Sequence, residues 1–347
     1  MLNLAIVNVT MRALRLLLFP FSFLYGLILW FRNLLYDKGF LASAKGELPS
    51  IVIGNLNTGG TGKTPHTIAL AQMLSDLHPA ILSRGYGRNS KGFIELNQEH
   101  SAFDVGDEPL LYLRSTACAV AVCEDRVEGI KTLAKNPNNK CVILDDAFQH
   151  RRLKADFNIL IIAQAKPVWK DYYLPTGDLR DHKNQIKRAN AILFSGCASE
   201  SDYLKSRANL KLKPNQKAYW SQTHQLPLQN WKTGESPEFG EQQEVVLITA
   251  IAKAERLKKH LEQCFKLSKH FQYRDHHFYS AKEAKQWLDY LANHPKAILV
   301  TSEKDAVRMS HLRALSELDV YVAPINVEIQ GVAELINDLK SSLEIIN

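Results

Sequence analysis

A chain of 347 residues, 46% hydrophobic and 23% charged, is long enough for two domains and apolar enough to bury a core, which excludes a disordered or fibrous protein. Its net charge of +7 at pH 7 suits an anionic partner; with no compact Lys/Arg block carrying interleaved aromatics, an acidic membrane face or a phosphorylated substrate is expected and nucleic acid is not. The five cysteines (Cys118, Cys123, Cys141, Cys197 and Cys264) are odd in number and fit no zinc spacing, so a reduced, cytosolic chain without disulfides is expected.

The first element runs from Leu16 to Phe31, 16 residues without a charge, preceded by Arg12 and Arg15 and followed by Arg32. As a helix it would span about 24 Å, short of the roughly 30 Å hydrocarbon core. Pro20 is expected to kink it, and Tyr25, Trp30 and the arginines suit an interface. A signal peptide, a core helix and a membrane-seated anchor are the three readings. The Ala42-Ser43-Ala44 stretch lies too far beyond the apolar run, across Arg32, Asp37 and Lys38, to be its cleavage site. The preferred reading is an anchor, monotopic or partly inserted, with basic flanks toward anionic lipid.

Next comes Ile51-Val-Ile53, a short β-branched strand, then Gly54-Asn-Leu-Asn57-Thr58-Gly59-Gly60-Thr61-Gly62-Lys63-Thr64-Pro65, then helical spacing from His66 to Leu77. Strand, glycine-rich loop and helix form the context of a phosphate-binding loop. The glycines bring backbone N–H groups to phosphate at a helix start. Lys63 would reach the β- and γ-phosphates, and the Thr64 hydroxyl would ligate Mg²⁺. Asn57 occupies the position where the longer loop has its first glycine, so the match is to the variant x-Gly-Gly-x-Gly-Lys-Thr.

Ala80–Ser83 is predicted as strand two, feeding the flexible basic loop Arg84-Gly-Tyr-Gly-Arg88, where an open α/β sheet holds ligands. Asp107-Glu108-Pro109 reads either as a helix start or as a carboxylate able to take a proton from an attacking hydroxyl. Ala119–Val122 is strand three. Strand four, from Cys141, ends in Asp145-Asp146 as a Walker-B strand does, with Asp145 expected to hold Mg²⁺ directly or through water. Phe157–Ile162 and Ala191–Phe194 are strands five and six. Between them, Gly177-Asp-Leu-Arg180-Asp181 offers Arg180 for phosphoryl charge and Asp181 for the metal.

This alternation predicts a P-loop-type parallel sheet flanked by helices, with a second, smaller α/β domain and an N-terminal membrane-associated helix. The expected boundaries are 1–40 for the membrane-associated segment, 41–198 for the P-loop core, 199–244 for a connector with a short strand near Tyr219-Trp220, and 245–347 for the second domain, whose last helix is free to pack on the core. The second unit begins at Val245–Thr249 and carries Arg274-Asp275-His276-His277, a helix Ala281–Ala292, and strands Ala297–Thr301 and Val320–Val322. Asp-His-His is not a metal motif at this spacing. A single His and a carboxylate acting on a hydroxyl is the better functional idea.

The ordered set of motifs resembles the tetraacyldisaccharide 4′-kinases, the lipid A 4′-kinases of Gram-negative inner membranes. It comprises Leu-Leu-Phe-Pro-Phe-Ser-Phe-Leu-Tyr-Gly, Thr58–Pro65, Ser83-Arg-Gly-Tyr-Gly-Arg88, Gly106-Asp-Glu-Pro109, Asp145-Asp-Ala-Phe-Gln-His150, Gly177-Asp-Leu-Arg180, Arg274-Asp-His276 and Ser302-Glu-Lys-Asp305. The resemblance covers about 14–325. It implies ATP- and Mg²⁺-dependent phosphorylation of a tetraacylated glucosamine disaccharide 1-phosphate at its 4′-hydroxyl, giving lipid IVA. It implies a monotopic protein at the cytoplasmic face of the inner membrane; no protein partner is implied. It casts Asp107 as general base with His276 as partner, Lys63 and Arg180 as phosphate contacts, and Asp145 and Asp146 as Walker-B acids, without dividing the roles of those two. The chain departs from the family pattern at Ala147, where Gly is usual, at Asp181, where Glu is usual, and at Ala250-Ile-Ala252, where Gly-Ile-Ala is usual. The rival from another class is a membrane-bound nucleotide switch that binds partner proteins. Such switches often carry a signature Lys where this chain has Thr58, and they do not need a second unit with an Asp–His pair.

Overall fold

The computed structural model describes residues 15–240 and 242–343; Arg12 lies outside the described residues. The first third of the chain holds α1 (Phe19–Asp37), β1 (Ser50–Gly54), α2 (Lys63–Met73), β2 (Pro79–Ser83), β3 (Ile94–Glu95), α3 (Ala102–Val105), α4 (Asp107–Ser115) and β4 (Val120–Val122). The middle holds α5 (Arg126–Leu133), β5 (Cys141–Asp145), β6 (Phe157–Ala163), β7 (Ala191–Ser195), α6 (Glu200–Arg207), β8 (Lys217–Gln225) and β9 (Gln229–Asn230). The last part holds β10 (Glu244–Thr249), α7 (Ala254–Cys264), β11 (Lys266–Gln272), α8 (Ala281–Ala292), β12 (Ala297–Thr301), α9 (Glu303–Met309), β13 (Val320–Val322), β14 (Ile325–Gln330) and α10 (Val332–Ser342).

These elements form two compact units. The first takes the chain up to Arg84, Cys123–Thr223, and everything from Val327; the second takes Gly85–Val122 and His224–Asn326. This partition differs from the expected one at residues 85–122, which group with the second unit. The reason is packing: α4 lies against α9, and Arg114 stacks its guanidinium 3.6 Å over the Trp231 ring.

The first unit is built on a parallel ladder, β8-β7-β6-β1-β5-β2. Strands β1, β2, β5 and β7 are buried along their whole length. That burial on both faces explains their continuous apolar runs. Register sets the site. Ile53 lies opposite Asp145, and Gly54 opposite Leu160, so the strand feeding the phosphate loop ends beside the strand that ends in acid. The short strand expected near Tyr219-Trp220 in the 199–244 stretch is the nine-residue β8, a full member of this sheet and not part of a connector. The helical run breaks at Leu17-Leu18, just before Pro20, so the proline starts α1 instead of bending it. It sits in the first turn of the helix, where its missing N–H costs nothing.

The second unit carries a five-stranded sheet, β11-β10-β12-β13-β9, parallel except for the short β13–β9 pair. Val246, Ile248 and Leu299 pack against Trp287 and Leu291 of α8, while Val245, Leu247 and Val300 pack against Leu257 and Leu261 of α7. Trp287 is fully buried and donates its indole N–H to the Tyr273 hydroxyl over 3.0 Å. Helix α8 starts in a Ser280/Glu283 capping box.

Candidate functional site

The phosphate loop is held open by the residues around it. Gly59 and Gly62 both have φ of +91°, in the region that favours glycine, and Gly62 begins α2. The Gly62 carbonyl lies 2.6 Å from His66 Nδ1, and His66 Nε2 lies 2.8 Å from the Ser221 hydroxyl of β8. Burial pushes the His66 imidazole down to about 4, with the Gly62 contact opposing, so the ring is neutral. A neutral ring gives one consistent assignment: Nδ1–H donates to Gly62 and Nε2 accepts from Ser221. Thr61 is braced twice, its carbonyl by the Ser195 hydroxyl at 2.7 Å and its hydroxyl by the Asn55 amide at 2.6 Å.

At the other end of the loop, the Thr58 N–H donates to the Asp178 carbonyl over 2.7 Å, and the Asn57 amide donates to the Asp171 carboxylate over 2.7 Å. Asn57 is thus a buried tether. Gly60 is exposed in the loop, and Thr64 follows Lys63 in the first turn of α2 with its side chain buried. Lys63 Nζ lies 3.3 Å from Asn55 Oδ1 and 3.5 Å from Asp146 Oδ1.

The two Walker-B acids are placed differently. Asp145 ends β5 and is 1% exposed. Asp146 turns back with φ of +50° and receives both terminal nitrogens of Arg180, one at 2.9 Å and the other closer. Burial alone would raise the Asp146 carboxyl; the Arg180 hydrogen bonds and the Lys63 charge outweigh it and hold the group well below the usual range. Arg180 also donates to Asn55 Oδ1, so Asn55 joins Lys63, Arg180 and Thr61 in one network. Asp181 is completely buried and faces the first helix: its Oδ1 accepts from Asn33 Nδ2 at 2.8 Å and from the His182 N–H at 2.7 Å.

Among the described residues no cluster of three His, Cys, Asp or Glu side chains could hold a metal by itself. That fits a hard dication of the Mg²⁺ type, which uses one or two protein oxygens and takes the rest from phosphates and water. Thr64, in the first turn of α2, and Asp145, at the end of β5, are the side-chain oxygens that could serve such an ion. Asp146 is committed to Arg180 and Lys63, and Asp181 to Asn33.

The second unit gathers its own polar cluster. Gly106, at φ of +92°, introduces α4, and Asp107 opens that helix with its side chain buried. Asp107 Oδ2 accepts from Arg308 Nε at 2.8 Å and from Arg308 Nη2, and lies 3.3 Å from His276 Nδ1. Burial would raise the Asp107 carboxyl; the His276 hydrogen bond and the charges of Arg308 and Lys304 hold it far below the usual range. The same bond raises the His276 imidazole against its own desolvation. His276 has φ of +57°, and its ring packs edge-on to Tyr86 at 5.7 Å. A cavity of about 30 Å³ opens here, lined by Tyr86, Gly87, Asp107, His276, Phe278 and Arg308.

Helix α1 buries Ser22, Gly26, Leu29 and Asn33 and leaves most of its large apolar side chains exposed. Ser22 donates its hydroxyl to Thr176 Oγ1 over 2.8 Å, Gly26 packs on the Tyr173 ring, and Asn33 meets Asp181. Arg15 donates to the Gly177 carbonyl at 2.7 Å and to Asp178 at 2.9 Å, while Arg151 binds back to the Asn33 carbonyl and Asp37. Phe21, Phe23, Leu24, Ile28 and Phe31 stand 54–70% exposed. Beside this face lies an apolar cavity of about 370 Å³, lined by Phe23, Leu27, Trp30, Tyr172 and Tyr173 among others. Among the described residues no helix is long and apolar enough to cross a membrane.

Sequence reasoning missed Arg308, Asn55, His66 and Asn33. Arg308 had a legible signal: it lies three residues after Asp305, one turn along the same helix face. Asn33 had a weaker one, as an amide at the end of an apolar helix.

A family model described as tetraacyldisaccharide-1-P 4′-kinase matches residues 14–344. A tetraacyldisaccharide 4′-kinase of Cytophaga hutchinsonii is 36% identical over 95% of this chain and 96% of its own length. One of Flavobacterium johnsoniae is 36% identical over 91% of this chain and 93% of its own. Among solved structures, LpxK of Aquifex aeolicus, crystallised in complex with ATP, superposes with a TM-score of 0.78 at 30% identity, covering 95% of this chain and 99% of that one. With matches of this extent, the chain belongs to the tetraacyldisaccharide 4′-kinase family.

Proposed function

We propose that this chain transfers the γ-phosphoryl group of ATP to the 4′-hydroxyl of a tetraacylated glucosamine disaccharide 1-phosphate, giving the 1,4′-bisphosphate and ADP. The observation that carries this reading is the Asp107–His276 pair: a buried carboxylate with an imidazole at 3.3 Å, in a chain that also holds a complete phosphate loop. A nucleotide switch has no use for a base aimed at an acceptor hydroxyl.

On the donor side, the loop from Thr58 to Thr64 cradles the phosphates through its N–H groups, and Lys63 and Arg180 neutralise charge on the transferring group. Asn55 and Asp146 keep both cations in place before nucleotide arrives. Thr64 and Asp145 would hold Mg²⁺, which would supply further charge neutralisation at the phosphates. On the acceptor side, the hydroxyl oxygen attacks phosphorus as its proton passes to Asp107, oriented by His276; the β–γ bridge breaks and ADP leaves.

Helix α1 supports a membrane-surface location. Its buried stripe of Ser22, Gly26 and Asn33 binds the protein, and its aromatic and aliphatic side faces outward, as an interfacial helix requires. The acceptor is a glycolipid of the inner membrane, met at the cytoplasmic face where ATP is available.

The test is incubation with γ-³²P-ATP, Mg²⁺ and the tetraacyldisaccharide 1-phosphate in mixed micelles. Label in the chloroform-extractable lipid is expected. Label only in inorganic phosphate would overturn the kinase reading in favour of the switch.

A further inference from the structure

Arg308 sits in the core of the second unit with its side chain 2% exposed, and every nitrogen of its guanidinium has a partner. Nη1 donates to the Ala250 carbonyl at 2.7 Å and to Asp305 Oδ1 at 3.0 Å. Asp305 is itself fixed by the Ala250 N–H at 3.1 Å, the Tyr279 hydroxyl at 3.0 Å and the Ser302 hydroxyl at 2.7 Å. The guanidinium is therefore immobile, and its other edge, Nε and Nη2, closes on a single oxygen of Asp107, Oδ2. Asp107 Oδ1 accepts the Glu108 N–H at 2.9 Å. An ordinary salt bridge would use both oxygens; this one pins the carboxylate by one and leaves lone-pair capacity on the other.

The same nitrogen of Arg308 also competes for His276. Nδ1 of that ring lies 3.3 Å from Arg308 Nη2 and 3.3 Å from Asp107 Oδ2. Arginine only donates and a carboxylate only accepts. Nδ1 with a proton pairs with Asp107, and Nδ1 without one pairs with Arg308. The two contacts exclude each other.

We infer that Arg308 is a positioning residue for the phosphoryl-acceptor step. It locks Asp107 Oδ2 so that Oδ1 is the oxygen that meets the substrate proton, and it makes the charge of Asp107 and the tautomer of His276 a single coupled state. The inference rests on the reading of Asp107 as base. The groups around the Asp107–Arg308–His276 cluster are Lys304 and Asp305 from α9, Asp275 beside His276, Tyr86 from the glycine loop, Tyr279 on Asp305, and Glu108 on the helix of Asp107. Arg308 is the cation bonded directly to the carboxylate. Lys304 is spent on Glu108.

The experiment is a pH–rate profile of Arg308→Met and Arg308→Lys, with Asp107→Asn and the double variant Asp107→Asn/Arg308→Met alongside. In Arg308→Met, kcat is expected to fall about 10–100-fold with KM for ATP and lipid within about threefold of the parent, in line with loss of an aligned base. The acid limb of kcat/KM should move up by a pH unit or more, because removing the cation raises the carboxyl. Arg308→Lys should keep most of the limb's position and lose kcat, since it retains the charge without the fork. In the Asp107→Asn background, Arg308→Met should cost nothing further. An unmoved limb, or losses that multiply in the double variant, would overturn the inference. If Arg308→Met does not fold, Arg308→Lys and the histidine titration decide it: NMR should show the His276 imidazole titrating higher in Arg308→Gln than in Arg308→Lys, and equal values would overturn it. Full turnover in Asp107→Asn would instead sink the base reading itself, a separately visible result.

Discussion

Asn33 and Asp181 meet at 2.8 Å with both side chains buried, one on the amino-terminal helix and the other directly after Arg180. Asn33→Leu removes a hydrogen bond to a buried carboxylate that has Arg188 3.7 Å away. The expected loss is about 2 kcal/mol, read from urea unfolding. Adding Asp181→Leu should recover part of it, since the stranded charge is then gone. A double variant as unstable as the sum of its parts would contradict this.

The two Walker-B acids should separate by their metal response. Asp145→Asn is expected to raise the Mg²⁺ concentration for half-maximal rate roughly tenfold or more, the scale on which metal affinity falls when a ligand or its hydrogen-bond support is lost. Asp146→Asn loosens Arg180 and Lys63 and should raise KM for ATP, leaving the Mg²⁺ midpoint near its parent value. Titrating Mg²⁺ at saturating ATP and ATP at saturating Mg²⁺ distinguishes them.

Asp107→Ala should cut kcat by about 10²–10⁴-fold while a fluorescent ATP analogue still binds. Nucleotide affinity should persist because Asp107 belongs to the second unit and the phosphate loop to the first. Turnover within a factor of three of the parent would remove Asp107 from the chemistry.

Stability should depend on pH through His66. Its imidazole is pushed down to about 4 in the fold, from 6.5 when free. Between those values the unfolded chain binds the proton and the folded chain does not, so stability is full above pH 6.5 and falls as the pH drops toward 4. The span amounts to about 3 kcal/mol. His150, also pushed to about 4 by burial, acts in the same direction. His66→Gln should flatten part of this slope in Tm measured from pH 7 to 4; an unchanged slope would show that His66 does not contribute.

The outward face of α1 invites a binding measurement. Phe21, Phe23 and Phe31 are 62%, 70% and 54% exposed, so replacing all three with Ser removes little packing. Unfolding free energy should stay within about 0.5 kcal/mol per site. Binding to vesicles of phosphatidylethanolamine and phosphatidylglycerol should weaken at least tenfold in a sedimentation assay, as lost apolar burial dictates. Undiminished vesicle binding would place the membrane contact elsewhere.

Much of this site could be read from residues adjacent in sequence. The phosphate loop announces itself because glycine spacing, Lys63 and Thr64 all lie within eight residues. Apolar runs ending in acid marked β5, and buried parallel strands read clearly because both faces demand apolar side chains. What escaped was whatever depends on distant pairing. Asn57 stands where the longer loop has its first glycine, and nothing nearby in sequence shows that its amide is held by Asp171, more than a hundred positions away. Arg308 reaches across 201 residues to Asp107. Residues 85–122 carried no compositional boundary, because α4 joins the second unit by side-chain packing against α9. Strand β8 read as shorter than it is, because only Ala218-Tyr219-Trp220 is apolar and Ser221 to Gln225 are all polar.

The chain passes from one unit to the other four times, after Arg84, Val122, Thr223 and Asn326. Synthesis on the ribosome therefore finishes the two in inverse order. The first unit holds the phosphate loop yet lacks β14 and α10 until residues 325–342 emerge, and Leu335 and Leu339 of α10 are wholly buried. The second unit, complete by Asn326, closes earlier. Carboxy-terminal truncation before Val332 should thus damage the nucleotide half of the protein and spare the half that holds Asp107.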